Sequence, residues 1–240
     1  NGVPKELKKN IYTFDFNDFN KIKYLVEKKK VKIIKMEVKR NHEQQNNFLG
    51  KIRRLSSKHK VILIFDECTS GFRETFGGLH KRYNINPDMA IFGKAIGNGY
   101  PITAIIGKKI FMKFAEKTFI SSTFLSEAIG PAAAIETIKY MQKNKTYEKI
   151  SKLGKSIKKQ WKVISKKNHL PIEVYGLEGI PKFKFVHKDC NYLKTILSYE
   201  MLKKGFLAST AIYLSYAHTD KIIKKYFKSL DEVFKKISIA

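Results

Sequence analysis

The sequence predicts an α/β protein: a first part built on a mainly parallel sheet, followed by a smaller α+β layer. Three observations carry this. Residues 61–65, VILIF, are an unbroken run of branched and aromatic side chains, the pattern of a strand covered on both faces inside a helix-flanked sheet. From about residue 11 to residue 65, segments of strand character alternate with segments of 3.6-residue periodicity, the order that right-handed crossover connections require. Past residue 170 the pattern changes to short alternating strands and two helices. The predicted division is 1–142 for the larger domain and 143–240 for the smaller.

Taken in order, residues 1–4 read as a turn and 11–14 as a short strand. Asn17 or Asp18 caps a helix with Phe19, Ile22 and Leu25 or Val26 on one stripe. Residues 31–38 give a strand. A helix over 46–59 turns Phe48, Leu49, Ile52 and Leu55 inward and leads into the 61–65 strand. Residues 89–92, MAIF, form the next strand, 102–106 return across the sheet, and 109–114 make a brief helix. A helix is expected over 126–141, opening on closely packed alanines. The next, over 147–167, aligns Ile150, Leu153, Ile157, Trp161 and Ile164 and leaves a basic face to solvent. Strands at 172–175 and 182–186 are expected to pair antiparallel. A helix over 192–204 stops at Gly205, 212–215 add a short strand, and the last helix, 220–237, aligns Ile223, Phe227, Leu230 and Phe234.

At 240 residues, with 43% hydrophobic content and 17 phenylalanines, the chain can bury a large core and is no charged coil. No run is long and apolar enough to span a bilayer, and the first residues lack a signal-peptide core, so cytoplasm is the expected location. Cys68 and Cys190 supply no disulfide framework. The formal net charge of +27 makes nucleic acid a candidate partner. Lysines in nearly every block argue against a dedicated binding face, and their bland reading is compositional bias.

The chemistry-bearing stretch is 61–101. The first apolar run ends at Asp66-Glu67, and the second ends at Gly93-Lys94 before the glycine-rich AIGNGYP. In helix-flanked parallel sheets, ligands sit beyond the carboxyl ends of the strands. One carboxylate and one amine are thus delivered toward one crevice. Pyridoxal phosphate (PLP) chemistry needs this pair: an aspartate keeps the ring nitrogen protonated, and a partly desolvated lysine forms the Schiff base and shuttles protons. The bland alternative is a strand cap and a solvated lysine.

The motifs LIFDECTSGFRETFGG at 63–78, NPD at 86–88 and FGKAIGNGYP at 92–101 resemble the class III (subgroup III) aminotransferases of the fold-type I PLP enzymes, closest to glutamate-1-semialdehyde aminomutase-like members. The resemblance implies that Asp66 faces the pyridine nitrogen and that Lys94 carries the cofactor as an imine. Cys68 falls where the family has valine or isoleucine packed under the ring, a swap of similar bulk. Ser122 and Thr123 precede a helix start suited to a phosphate, with simple N-capping as the plain reading. The resemblance implies that Thr123 reaches the cofactor phosphate of a neighbouring subunit, hence a homodimer with shared active sites.

Arg73 reads either as a substrate contact or as a brace of its own loop beside Glu74, and His80 as an ordinary histidine without a metal motif. The resemblance covers the second half or slightly more of a family member. The first half, with its phosphate cup and ring-stacking aromatic, has no match before residue 61, and a sheet built from this chain alone is expected to expose an edge or an apolar face. The expected function is a PLP-dependent aminotransferase using an amine donor and an oxo acceptor, completed by an N-terminal polypeptide. An aminomutase uses the same residues. A non-catalytic fragment and a basic nucleic-acid binder are the remaining readings.

Overall fold

The computed structural model describes residues 2 and 4–239; of the expected turn at 1–4, residues 1 and 3 lie outside the described residues. The chain divides into two compact units. The first comprises residues up to 71 and 77–135; the second comprises 72–76 and the residues from 136 onward. The chain crosses between them at 71/72, 76/77 and 135/136, the last of these inside a helix.

In the first unit, helix α1 (Phe19–Glu27) starts at Asp18, whose side chain accepts the Lys21 amide at 2.9 Å. Strand β1 (Ile33–Glu37), helix α2 (Phe48–Lys58), strand β2 (Ile62–Asp66), strand β3 (Met89–Phe92) and strand β4 (Ala104–Gly107) follow. The sheet order is β1-β2-β3-β4. The first three strands are parallel, and β4 returns antiparallel to β3. Residues 11–14 form no strand, because their extended backbone has no ladder partner there; Ile11 is 63% exposed.

Burial alternates along the strands. Ile34, Met36, Leu63, Phe65, Ala90 and Phe92 form the core with Ile22, Leu25, Phe48, Leu49 and Ile52 from α1 and α2. Ile62, Ile64, Met89 and Ile91 point to the other face and are only half-buried, so β2 is covered on one face among the described residues and not on both. Asp88 ties the layers together. It accepts the Leu63 amide at 2.9 Å, Arg53 of α2 at 3.0 Å and Lys108 at 2.6 Å.

Helix α3 (Lys109–Met112) follows β4, and helix α4 (Ile129–Asn144) begins three residues later than 126. Pro131 falls in its first turn, where a missing N–H removes no intrahelical bond.

The second unit packs helix α5 (Thr146–Lys167) on the antiparallel hairpin β5 (Ile172–Leu177) and β6 (Ile180–Phe185), with helices α6 (Cys190–Lys203) and α7 (Asp220–Ile239). Its core centres on Trp161, Phe183 and Phe234, with Trp161 Nε1 donating to Tyr226 Oη at 3.0 Å. Residues 210–214 bond to β6 through Phe183 N to Thr210 O and Ile212 N to Pro181 O, and to the turn before it through Leu214 N to Gly179 O. They make one isolated bridge, Lys182 with Ala211, in place of the expected strand.

Candidate active site

Asp66 closes β2 at the carboxyl edge of the sheet, on the half-buried face. Its Oδ1 accepts the Cys68 amide at 3.2 Å, and its Oδ2 pairs with Lys35 Nζ at 3.0 Å. The carboxylate side chain stays 28% exposed, so both oxygens retain room for a further donor. Lys94 follows β3, the adjacent strand. Its backbone is left-handed, φ 46°, after an extended Gly93. Its Nζ donates to Thr69 Oγ1 at 2.8 Å, and Thr69 is three residues past Asp66. The structure therefore brings the Lys94 amine back to the end of the strand that bears Asp66.

An open cleft of about 720 Å³ lies here, lined among others by Cys68, Lys94, Tyr100, Ser122, Glu127 and Gly130. Asp66 reaches it through its bond to Cys68 and does not line it. Lys94 is exposed, not partly desolvated, because the cleft is open on its side. Tyr100 Oη donates to Glu127 Oε1 at 2.8 Å, and its phenol is held above the ordinary range first by that bond and then by burial. A Cβ on Gly93 would stand 2.8 Å from Cys68 Sγ, so glycine keeps the Cys68 wall unobstructed.

Against this geometry, the family model for class-III aminotransferases matches residues 41–234. The chain belongs to the class-III aminotransferase family. Among curated relatives, it is 30% identical over 234 residues to a 3-aminobutyryl-CoA aminotransferase of Cloacimonas acidaminovorans (strain Evry), an alignment covering 92% of this chain and 56% of the relative. It is 28% identical over 258 residues to a glutamate-1-semialdehyde 2,1-aminomutase of Wigglesworthia glossinidia brevipalpis, covering 98% and 59%. The chain thus spans less than two thirds of the length of these relatives. Its fold is that of the FumI protein from Sphingopyxis sp. MTA144, solved in its PLP internal aldimine form (TM-score 0.88, 21% identity, 99% of this chain and 60% of that one). An omega-transaminase from Sphaerobacter thermophilus matches at TM-score 0.86 with 16% identity over 100% of this chain and 60% of that one.

Within this class-III aminotransferase chain, Ser122 lines the cleft and Thr123 is exposed ahead of α4. Arg73 belongs to the second unit, its guanidinium 5.6 Å from the Tyr213 ring centroid. Its neighbour Glu74 accepts the Glu178 amide at 2.5 Å. Among the described residues, no group of three metal-ligating side chains occurs, and none of the helices is long and apolar enough to cross a membrane.

Two residues escaped the sequence reading. Glu67, fully buried, accepts Ser70 Oγ at 2.7 Å and the amides of Leu79 and His80 at 2.7 and 2.9 Å, and His80 Nδ1 lies 2.7 Å from its Oε1. Gly78 makes room for this clamp, since a Cβ there would meet the His80 ring at 2.3 Å. Thr69, 7% exposed, is the second. The available signal was the DE pair itself: a second acid, adjacent to a strand-end acid, points to the opposite side and must find donors when buried.

Proposed function

We propose that this chain carries the lysine and aspartate of a PLP-dependent aminotransferase. The observation that carries the reading is the Lys94 amine, held 2.8 Å from Thr69 Oγ1 at the end of the strand that bears Asp66. The residues fit the cofactor: an amine at a cleft wall, a carboxylate on the adjacent strand, and a Cys68–Gly93 approach that admits no further side chain. Bound there, PLP supplies an aldehyde that condenses with amines and a protonated ring that draws electrons from a substrate carbon.

Asp66, at the end of the strand beside the cleft, would favour a proton on the ring nitrogen by opposite charge. Lys94 Nζ would hold the cofactor through its amine and, when free of it, would be the base that takes the proton from the donor's α carbon and hands it on. Cys68, on the cleft wall, would pack beneath the ring and exclude water from that side. Ser122 would cap the phosphate from the cleft, while the exposed Thr123 would serve the phosphate site of a second subunit in a homodimer. The oxo acceptor takes the amine in the second half-reaction. A second reading, return of the amine to a neighbouring carbon of one substrate, is favoured by the 28% identity to the aminomutase and uses the same residues.

Residues 1–142 are assigned to the cofactor-binding domain and 143–240 to the small domain, with a cytoplasmic location in keeping with the free Cys68 and Cys190. The phosphate cup and ring-stacking aromatic come from an N-terminal segment that completes the sheet. Its support is the half-buried face formed by Ile62, Ile64, Met89 and Ile91.

The test is reductive trapping of PLP with borohydride, followed by peptide mapping. With lysines spread through the whole chain, colour alone is uninformative, because any exposed lysine forms an adduct. One adduct per chain on Lys94, lost in Lys94→Ala, is expected. Labelling spread evenly over the lysines sinks the proposal.

A further inference from the structure

Lys94 adopts a left-handed backbone, φ 46°, that a side-chain-bearing residue seldom keeps without compensation. The strained turn aims the side chain across to the end of β2, where its amine meets Thr69 Oγ1 at 2.8 Å. Thr69 is buried, so its hydroxyl cannot wander, whereas a free lysine spreads over many rotamers and loses that freedom when one is selected. A hydroxyl also both accepts and donates, so it can partner an amine in either protonation state.

We infer that Thr69 is a positioning residue that parks the Lys94 amine whenever that amine is not bonded to the cofactor. The inference rests on the functional reading above and deepens it. During each turnover Lys94 is displaced by the incoming amine and must re-attack; a fixed hydroxyl within hydrogen-bond reach keeps it at high effective concentration. Removing the hydroxyl slows capture of the aldehyde and leaves the pocket itself intact.

The experiment compares Thr69→Val, which keeps the shape, with Thr69→Ser, which keeps the hydroxyl, in the complete protein. Two ligands separate the effects: PLP, whose capture requires Lys94, and pyridoxamine 5′-phosphate, which has no aldehyde and reports only the pocket. Thr69→Val is expected to slow PLP capture about tenfold, the weight of one hydrogen bond, with pyridoxamine phosphate affinity within about twofold of the parent. Thr69→Ser restores capture. Equal losses for both ligands, or no rescue by serine, overturn the inference in favour of a purely structural threonine.

A cofactor-free arm keeps the two proposals distinguishable. Competitive acetylation of the unliganded protein should find Lys94 in Thr69→Val reacting about tenfold faster than in the parent, as expected for an amine released from one hydrogen bond. Other lysines should be unchanged. If the parent takes up neither ligand, the functional reading falls, and this arm alone decides Thr69: an unchanged Lys94 rate overturns the parking role.

Discussion

Asp88 does not line the cleft, yet it joins α2, β2 and the end of β4 through one buried carboxylate. Burial pushes its pKa up, but the Leu63 amide, Lys108 and Arg53 together outweigh burial and hold it below the ordinary value. A carboxyl whose folded pKa is depressed stabilises the fold at pH values above its unfolded pKa, near 3.9, and that stabilisation is lost as pH falls through the folded value. Asp88→Asn should therefore lower stability by about 2–3 kcal/mol at pH 7 in urea titrations, the weight of charge-assisted hydrogen bonds. The gap should narrow as the pH drops below about 4. An equal gap at pH 3 and pH 7 would show that shape, not charge, matters. Glu67→Gln is a sharper case, because an amide NH2 would face the Leu79 or His80 N–H. Hydrogen exchange at those two amides should accelerate, with about 1–3 kcal/mol lost overall. The strand-end places of Asp66 and Lys94 were legible in the sequence because apolar runs end just there. Glu67 and Thr69 were not, since their partners are set by a loop returning 12 or 13 residues later and by a strained turn on another strand.

Helix α5 shows how an element is placed. Its apolar stripe, legible from periodicity, buries Ile150, Ile157, Trp161 and Ile164, but its close seating on the β5–β6 hairpin depends on Gly154. A Cβ there would lie 1.7 Å from the Glu178 carbonyl oxygen, a backbone atom that no rotamer change can move. Alanine is favoured over glycine in a helix by about 1 kcal/mol, but forcing the hairpin away costs about 1–3 kcal/mol, so the clash decides the sign. Gly154→Ala should destabilise the second unit. Trp161, the single tryptophan and fully buried, reports this directly as an earlier fluorescence transition in denaturant. A later transition would mean that the hairpin yields freely. The strands expected at 11–14 and 212–215 fail for a related reason: β-propensity describes fit to a pleated neighbour. Residues 11–14 have no ladder partner, and 210–214 meet β6 at only alternate groups. Helices carry their hydrogen bonds within themselves, so their positions were readable to within a few residues.

At the scale of the whole molecule, two opposing forces act. The sheet turns Ile33, 56% exposed, Ile105, 54% exposed, and the half-buried Ile62, Ile64, Met89 and Ile91 to one face, an apolar surface that favours association. The formal net charge of +27 keeps copies apart. Salt separates the two, because the screening length falls from about 30 Å at 0.01 M to about 3 Å at 1 M while apolar attraction persists. Light scattering on this chain alone should therefore find dispersed molecules at low salt and growing association as salt rises. Ile64→Lys with Ile91→Lys, both on the half-buried face, should suppress that association without unfolding the first unit. Association that survives both lysines would move the sticky surface elsewhere and remove the support for a segment that completes the sheet. The opposite salt dependence, assembly at low salt that dissolves at high salt, would mean that bound polyanions bridge the lysines and that the basic surface is a nucleic-acid-binding one.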